Sequence, residues 1–472
     1  MSLAKLTALA RSELKQLNYP GKDWVIPQKG VLDVLVVGGG MCGQTATFAL
    51  LREGVRNLRC VDRAPAGREG PWRTFARMDI LRSPKHLTGP DLGVAALTYR
   101  AYHEAKFGVA HWKKLHKIDR VEWARYLLWV RKVVGLPVEN NVEVERIEPS
   151  TSSVRVFFRR GKSIEARKVV LALGREGSGS ARWPDFETFD PAKRGRNVFH
   201  SADPIDFSLL KNKRIGILGA GASAFDNAGE TLEAGAKEVV MFARRPFLPQ
   251  VNKSKWTAFP GFQHGYASLD DARRWRFYTY IFSEQVPPPY ESVLRCERYK
   301  GFSVVFDCAW QDILPGKEGV SLKTSKGTKQ FDAVIVCTGF DVNLMERREI
   351  APFRDAVETW RSHVPPSEAQ KHPEEARFPY LGSAFELVSK NNSSSDALRR
   401  VHVFNWGCTM SHGALAGDIP GLEIGARRLA NGIVRDLFVE DADEHWKRVQ
   451  AHNEDELKAT RYFVPLVDRG SD

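Results

Sequence analysis

The chain of 472 residues is long enough for two or three domains, and its composition, 43% hydrophobic and 27% charged, is that of an ordinary folded protein. Its net charge of +13 comes from Lys and Arg residues spread along the whole sequence, without the basic runs of a nucleic-acid-binding protein, so we expect no nucleic-acid partner. No apolar run approaches the ~20 residues needed to cross a bilayer, and residues 1–17 lack a signal-peptide block, which predicts a cytoplasmic protein without membrane attachment.

The first strong pattern is Gly38-x-Gly40-x-x-Gly43, which directly follows the apolar run 34–37 and directly precedes a helical segment. Strand, tight glycine turn and helix in this order form the dinucleotide-binding fingerprint. The glycines let the backbone approach a pyrophosphate, and the helix N-terminus faces its charge. A second apolar strand ends in Asp62, at the spacing where a carboxylate holds ribose hydroxyls. The sequence therefore predicts a first dinucleotide site.

A second fingerprint, Gly219-x-Gly221-x-x-Ala224, again stands between an apolar strand and a helix. Here the ribose position is not acidic, because the next strand ends in Arg244 and Arg245. Guanidinium groups match the 2′-phosphate that distinguishes NADPH from NADH. We therefore predict a second, different dinucleotide site, with two solvated surface charges as the alternative for the arginine pair. Its predicted residues are Gly219, Gly221, Ser223, Ala224, Arg244 and Arg245.

The cysteines are scattered, and none forms a C-x-x-C pair or a cluster with metal-ligand spacing. Buried free thiols in a reducing compartment are the simplest interpretation. We expect no metal site, and we expect no chemistry that needs two adjacent thiols.

The paired fingerprints, together with apolar strands that end at Gly174 and at Thr338-Gly339, resemble the flavin-containing and N-hydroxylating monooxygenases, a single-component class that uses FAD and NADPH. The resemblance covers roughly residues 30–440. The segment 195–200 departs from the glycine–histidine signature of the class by one extra residue, and the substrate motifs of ornithine and lysine hydroxylases are not visible. More narrowly, three segments are similar to bacterial enzymes that N-oxygenate small acidic amino acids, such as nitrosuccinate-forming aspartate N-monooxygenases. They are residues 70–73, 81–93 and 406–419.

This resemblance implies an α/β protein with two Rossmann-like dinucleotide-binding domains, the second inserted in the first. The predicted boundaries are an N-terminal arm at 1–29, an FAD-binding domain at 30–205 and 332–472, and an NADPH-binding domain at 206–331. An aromatic, helix-prone insertion at 250–300 interrupts the NADPH-binding domain. We interpret its aromatic stripe as core rather than as a substrate cage.

The resemblance also implies the chemistry. NADPH reduces FAD, the reduced flavin and O2 form a C4a-hydroperoxide, and one oxygen atom passes to the nitrogen of a small amine. An acidic amino acid such as L-aspartate is the substrate we expect. The flavin supplies the reactive group, so no catalytic triad or metal is required. The expected partners are a small-molecule substrate and O2, and self-association as a homo-oligomer stays open.

The same resemblance indicates the site residues. The catalytic candidates are Lys85, His86, Asn405 and His412, and the candidates for holding a substrate carboxylate are Arg82, Arg295 and Arg298. Beyond the fingerprints, the cofactor candidates are Arg63, Trp72, Thr338, Gly339 and Asp418. For each basic residue a structural or surface role is an equal alternative, and for His412 so is a backbone-bonded loop histidine.

Three other functions stay open. A general flavin-containing monooxygenase would oxidise sulfides, amines or ketones instead. A pyridine nucleotide–disulfide reductase shares the two-nucleotide architecture, but the missing C-x-x-C argues against it. A non-catalytic flavin-binding protein would keep the fold without the reaction.

Overall fold

The structure, a computed structural model, describes residues 1–86, 89–391 and 395–465. Residues 87 and 88 of the segment 81–93, which carries part of the family resemblance, and the last residues of the predicted FAD-binding domain, 466–472, lie outside the described residues. Within the described ranges, no helix combines the length and the apolar character needed to cross a bilayer.

The helices and strands follow one another in three blocks. The first block comprises α1 (Leu3–Gln16), β1 (Val31–Val37), α2 (Met41–Arg52), β2 (Leu58–Asp62), α3 (Tyr99–Phe107), α4 (Val109–Lys114), α5 (Arg120–Val134), β3 (Val138–Asn140), β4 (Val144–Pro149), β5 (Val154–Phe158) and β6 (Ser163–Leu171). The second comprises β7 (Val198–His200), β8 (Arg214–Leu218), α6 (Ala222–Glu233), β9 (Glu238–Phe242), α7 (Pro260–Gly265), α8 (Asp271–Glu284), α9 (Tyr290–Glu297), β10 (Phe302–Val305), β11 (Trp310–Pro315), β12 (Val320–Thr324), β13 (Gly327–Phe331) and β14 (Ala333–Val336). The third comprises α10 (Pro366–Lys371), α11 (Ser395–Leu398), β15 (Val401–Val403), α12 (Thr409–His412), α13 (Leu422–Glu440) and α14 (Ala442–Ala451).

The first sheet has seven strands and is built around β1. Strands β3, β2, β1 and β6 lie side by side and parallel, β15 adds a further parallel strand beside β6, and β5 and β4 continue the sheet as an antiparallel extension. Parallel strands need helical crossovers, and α2 and α5 supply them. The first unit is therefore a dinucleotide-binding fold with the glycine fingerprint at the carboxyl end of its central strand.

The second sheet has five parallel strands in the order β10, β9, β8, β14 and β7, and β11 to β13 form a separate three-stranded antiparallel sheet. Each fingerprint strand is thus flanked by an apolar strand from later in the chain. The predicted α/β fold with two dinucleotide-binding units is confirmed.

The two units are joined by two chain segments that pair with each other. The outgoing segment 178–182 and the returning segment 339–343 run antiparallel, with hydrogen bonds from Asp341 N to Ser180 O at 2.9 Å and from Arg182 N to Gly339 O at 2.9 Å. The predicted boundaries at 205/206 and 331/332 need correction, because they cut β7 and β14 from the sheet in which both strands are paired. We propose that the second unit runs from 183 to 338.

The N-terminal arm predicted at 1–29 contains an ordered helix. Three apolar side chains spaced four residues apart on α1 are buried in the core of the first unit, namely Leu6, Ala10 and Leu14. The indole Nε1 of Trp129 on α5 donates to Thr7 Oγ1 at 3.0 Å. The arm is therefore part of the first unit's core rather than a detached lead-in.

Helix α13 is fixed at its C-terminal end by a buried ionic network. The fully buried guanidinium of Arg167 on β6 donates to Asp441 at 2.7 Å and to Glu440 at 3.0 Å. Lys168 and Arg400 also pair with Glu440, at 2.8 Å and 3.0 Å. Cations at a helix C-terminus interact favourably with the helix dipole. This end of α13 is held at the middle of β6. The loop that leads into the other end lies near Cys42 in the first turn of α2.

Three buried histidine side chains make the stability of the fold depend on pH. Burial is the largest cause that lowers the pKa of each, to about 4 for His200, to about 4 for His402 and to about 3 for His412. An unfolded histidine has a pKa near 6.5. The folded chain therefore keeps these rings neutral where the unfolded chain already protonates them.

The ionic network predicts a large loss of stability when its central cation is removed. Arg167→Met keeps much of the side-chain volume but leaves Asp441 buried beside no guanidinium, and we expect a loss of about 3–5 kcal/mol in the free energy of unfolding. Urea unfolding followed by circular dichroism measures it. The control is Arg435→Ala, which removes a pair between a half-exposed guanidinium and Asp436 and should cost no more than about 1 kcal/mol. Equal losses in both variants would contradict the network.

The neutral histidines predict acid sensitivity. Below pH 6.5 the unfolded state binds more protons than the folded state, so stability should fall as pH falls towards 4, by up to about 1.4 kcal/mol per pH unit for each ring. His412→Gln should flatten this dependence in urea unfolding between pH 7.5 and 5. His116→Gln, whose side chain is 74% exposed, should leave it unchanged. If the stability of His412→Gln depends on pH as steeply as that of the unmodified protein, the assignment of a neutral, buried His412 is contradicted.

Candidate active site

In the first fingerprint, glycines let both a ligand and helix α2 come close to the backbone of the turn. Gly38 has a φ of +106°, and a Cβ on Gly43 would lie 1.7 Å from the carbonyl oxygen of Gly38, so α2 packs directly on the turn. A Cβ on Gly40 would meet nothing closer than the backbone of Gly70 at 3.7 Å. Gly40 therefore leaves an open backbone position at the N-terminus of α2, where a pyrophosphate fits.

Asp62 lies at the end of β2, where the sequence predicts a ribose contact. Its two carboxylate oxygens accept hydrogen bonds from Gly39 N and from Ala64 N, both at 2.7 Å, and burial raises its pKa. Asp62 therefore orders the glycine turn. Arg63 is exposed and pairs with Glu176 at 2.9 Å.

The second fingerprint repeats the geometry of the first. Gly219 has a φ of +110°, and a Cβ there would lie 2.7 Å from Cys337 O on the neighbouring strand. A Cβ on Gly221 would have no atom within 4 Å, so the N-terminus of α6 is open. Ser223 and Ala224 lie in the first turn of α6, and the backbone oxygen of Ser223 accepts from Asn227 at 2.8 Å.

The arginine pair lies directly after β9. Arg244 and Arg245 are both exposed, and Arg245 donates to the carbonyl oxygen of Ser283 on α8 at 3.3 Å. This is the edge of the sheet where a 2′-phosphate is bound in dinucleotide folds. Their role stays a prediction.

The remaining cofactor candidates lie where the two units meet. The Thr338 hydroxyl donates to Arg182 O, and Gly339 has a φ of +81°. Asp418 directly precedes the turn 419–421 that leads into α13, and it pairs with Arg175 at 3.4 Å.

Trp72 packs against the core of the first unit, and the loop before α13 lies close to α2. The Trp72 ring packs against Trp123 at 6.4 Å between ring centroids, and its carbonyl oxygen accepts from Arg120. The carboxylate of Asp418 acts on the Cys42 thiol in the first turn of α2, and α13 packs against α2. The N-termini of α2 and α13 therefore approach the same region.

Arg82 lies in the cleft between the two units. Its side chain reaches solvent, yet protein surrounds the guanidinium so closely that burial lowers its pKa, against the effect of the nearby carboxylates of Asp226 and Asp418. Asp226 belongs to α6, and Asp418 precedes α13. Among the described residues, Arg82 has no hydrogen-bond or ion-pair partner. It is therefore a cation available to a ligand.

Lys85 and His86 follow on the same loop. The Lys85 ammonium donates to the carbonyl oxygens of Trp112 at 2.7 Å and Leu115 at 2.6 Å, and it lies 4.8 Å from the Trp112 ring. These bonds fasten the loop to α4 and occupy two of the three donors of Lys85. His86 is exposed at the last described position before residues 87 and 88.

Arg295 and Arg298, predicted to hold a substrate carboxylate, instead lie against acidic side chains of the protein. Arg295 on α9 is buried and pairs with Glu233 at 2.5 Å, and Arg298 pairs with the same carboxylate at 2.6 Å. Arg295 also contacts Asp79 and Glu230, both at 3.3 Å. Arg295 and Arg298 are therefore already paired with protein carboxylates, and they do not join Arg82 as cations available to a ligand.

Asn405, which precedes α12, and His412, the last residue of α12, are both buried. Asn405 Oδ1 accepts from Gly407 N at 2.8 Å and from Ser178 Oγ at 3.0 Å. His412 Nε2 donates to Gly382 O at 2.8 Å, and its Nδ1 accepts from Arg428 at 3.2 Å. Both ring nitrogens are engaged and the ring is neutral, which matches the backbone-bonded alternative for His412.

A small pocket opens beside the loop before α13. It lies between this loop and the aromatic insertion, and its lining combines hydroxyl, amide and aromatic groups. The residues that line it include Ser254, Thr257, Phe262, Gln263, His412 and Asp418. Asp418 lines this pocket, and its carboxylate also acts on the Arg82 charge.

The sequence did not indicate Asp226 and Arg175 as residues near the site. Asp226 is buried on α6 and accepts from Ser292 Oγ at 2.6 Å, and the Arg175 guanidinium lies 3.7 Å from the ring of Trp406. The spacing of the acids Asp226, Glu230 and Glu233 on one helix face was a usable signal for the first. No local pattern marks Arg175.

The cysteines do not provide a redox pair. All six lie in the described part of the chain, and all are buried and free. Burial raises the pKa of Cys42, Cys60 and Cys296 to about 12, so these thiols are unreactive. The structure offers no dithiol for disulfide exchange.

The chain is similar to several proteins of known activity. The sequence profile of the family described as Pyridine nucleotide-disulphide oxidoreductase matches residues 35–258, a span that contains both fingerprints. The FAD-dependent urate hydroxylase of Xanthomonas campestris pv. campestris is 36% identical over 447 residues, which cover 93% of this chain and 94% of the relative.

Solved structures share the fold. The reduced form of the ornithine hydroxylase PvdA from Pseudomonas aeruginosa matches with a TM-score of 0.66 and 18% identity, over 86% of this chain and 100% of that chain. The Kutzneria sp. 744 ornithine N-hydroxylase KtzI, with reduced FAD, NADP+ and L-ornithine, matches with a TM-score of 0.65 and 14% identity, over 86% and 99%. Since the similarity to the urate hydroxylase extends over nearly the whole of both chains, this protein belongs to the FAD-dependent flavoprotein monooxygenases and is an oxidoreductase.

Proposed function

We propose that the protein uses FAD and NADPH to transfer one atom of O2 to a small anionic, nitrogen-containing substrate held by Arg82. The observation that carries the proposal is the Arg82 guanidinium, which lies in the cleft between the units without a partner among the described residues. A cation surrounded by protein is stabilised when an anion joins it, and a guanidinium suits a planar or forked anion.

The first fingerprint fits FAD. Gly40 leaves room for the pyrophosphate at the N-terminus of α2, and Asp62 stands at the ribose position. The N-terminus of α13 adds a second positive dipole end at the same edge of the sheet. Bound FAD would supply the activated oxygen, while the protein would bind, orient and exclude water.

The second fingerprint fits NADPH. The open backbone at Gly221 leaves room for a second pyrophosphate. Arg244 and Arg245 are exposed where the 2′-phosphate would lie. The likeness to a fold relative that holds NADP+ is consistent with this use.

The pocket beside α13 suits a small polar molecule. Phe262 offers an aromatic face, and Thr257 and Gln263 offer hydrogen-bonding groups. His412 stays neutral at this wall, with its ring stacked on Phe385 at 4.0 Å between centroids. We therefore assign His412 to holding the wall of the pocket and not to moving a proton.

Urate, or a related oxidised purine, is the substrate that this site supports best. It is flat, rich in hydrogen-bonding groups and singly charged at neutral pH, so it needs one cation. Arg82 supplies one, whereas Arg295 and Arg298 are already paired with Glu233. Urate is also the substrate in the name of the relative that is 36% identical.

An acidic amino acid such as L-aspartate is the second candidate. Its carboxylate would pair with Arg82, and fold relatives act on the amine of ornithine. Two carboxylates need two fixed cations when water is removed. The acidic side chain of Asp418 on the pocket wall opposes the second carboxylate.

The test of this function is a comparison of substrates. The purified protein should be yellow from bound FAD, and urate should accelerate NADPH oxidation and O2 consumption more than L-aspartate does, with product masses one oxygen higher. Arg82→Ala should raise the KM for the accepted anion by roughly tenfold or more, because a charge-assisted hydrogen bond contributes about 1.5–3 kcal/mol.

Arg73→Ala is the matched control, since Arg73 is an exposed cation on the same loop. It should leave the KM unchanged. Turnover of aspartate with urate inert would select the second candidate. Turnover of neutral sulfides or ketones alone would contradict an anionic substrate. An Arg82→Ala effect on NADPH affinity alone would assign Arg82 to the cofactor.

NADPH should be preferred over NADH because of the arginine pair. Arg244→Ala and Arg245→Ala should each reduce the ratio of kcat/KM values for the two nucleotides, by about tenfold for a lost charge-assisted contact. Steady-state kinetics with both nucleotides measures this ratio.

Arg276→Ala provides the control, because Arg276 lies on α8 and outside the fingerprint. The ratio of the kcat/KM values for NADPH and NADH in Arg276→Ala should equal that of the unmodified protein. If both arginine variants keep the original preference, the 2′-phosphate is bound elsewhere.

A further inference from the structure

We infer that Arg295 is a positioning residue that couples the pyridine-nucleotide helix α6 to the loop carrying Arg82. The inference rests on the proposed assignment of the second fingerprint to NADPH. It gives Arg295 a role different from the substrate contact predicted from the sequence.

On one side, Arg295 holds the loop of the first unit. Its Nη1 donates to the carbonyl oxygen of Arg77 at 2.8 Å, and its Nε lies 3.3 Å from the carboxylate of Asp79. Both residues precede Arg82 by a few positions on the same irregular segment. Arg295 therefore fixes the stretch of chain that leads into Arg82.

On the other side, Arg295 holds the end of α6. Its Nε and Nη2 form a fork on the two oxygens of Glu233, at 2.9 Å and 2.5 Å, and Nη2 also lies 3.3 Å from Glu230. Acidic side chains near a helix C-terminus are unfavourable unless a cation accompanies them. The guanidinium of Arg295 neutralises these acids and joins them to the loop.

The packing around Arg295 is specific to this side chain. A Cβ on Gly229 of α6 would lie 2.7 Å from Cδ and Nε of Arg295, so the missing side chain leaves the groove in which the arginine lies. The side chain is 7% exposed, and its acidic partners raise its pKa despite burial. It is a permanent cation between the two units.

A second contact between the same elements lies closer to the fingerprint, about two helical turns from Glu233. Asp226 of α6 is buried against Ser292 of α9 at 2.6 Å, and the Arg82 charge acts on its carboxylate. Asp226, Gly229 and Glu233 share one face of α6. The N-terminus of this helix, at Gly221, is where the nucleotide would bind, so a rigid helix connects that site with the Arg82 loop.

Hydrogen exchange of the FAD-loaded protein tests this coupling, with NADP+ as the probe. Saturating NADP+ should slow amide exchange in residues 74–86 of the unmodified protein by about fivefold, the lower range of coupling between sites. Arg295→Lys cannot form the fork, so it should lose this protection while NADP+ still binds, as measured by calorimetry. Asp79→Ala removes only the loop's carboxylate and should weaken the protection as well.

The matched control is Arg298→Ala, which removes the other cation on Glu233 but touches no residue of the loop. It should keep the full protection. Retained protection in Arg295→Lys, or equal loss in Arg298→Ala, would overturn the inference. Absent NADP+ binding to the unmodified protein would instead refute the proposed nucleotide site, so the two failures are distinguishable.

Discussion

The close contact between α2 and the turn after β1 is the constraint on which the rest of the molecule depends. With 1.7 Å between the position of a Gly43 Cβ and Gly38 O, only glycine lets the helix begin directly over its strand. Helix α13 then packs against α2, and its far end is tied to Arg167. Two helix N-termini are thereby aimed at one place, and the fixed positive ends make that place suitable for a phosphate-bearing cofactor.

Features that depend on local chain geometry could be predicted from the sequence. Both glycine turns, the strands that close them and the α/β class follow from short-range spacing, and the structure confirms them. Side-chain roles depend on distant partners, and there the sequence was insufficient. Arg295 could be predicted only as either a substrate-binding or a structural cation, because its partner Glu233 is brought to it by the packing of α6 against α9. No local pattern distinguishes Arg82 from Arg295, and among the described residues only the fold leaves the Arg82 guanidinium without a hydrogen-bond or ion-pair partner.

The aromatic insertion has a second role besides its own core. Phe262, Tyr266 and Trp275 pack with Trp360 and Met410, which belong to the returning part of the first unit. A segment inserted in the second unit thus forms one wall of the pocket beside the loop before α13.

The paired crossings at 178–182 and 339–343 also define how the chain is assembled. Since Asp341 N bonds Ser180 O at 2.9 Å, the points where the chain leaves the first unit and re-enters it are one strand spacing apart, about 4.8 Å. Joining them directly would need only a tight turn. The second unit is therefore an insertion between two neighbouring points of the first unit's chain. The first unit carries its own sheet and its own buried ionic network. Without the second unit, Trp360 and Met410 would lose their packing against the aromatic insertion.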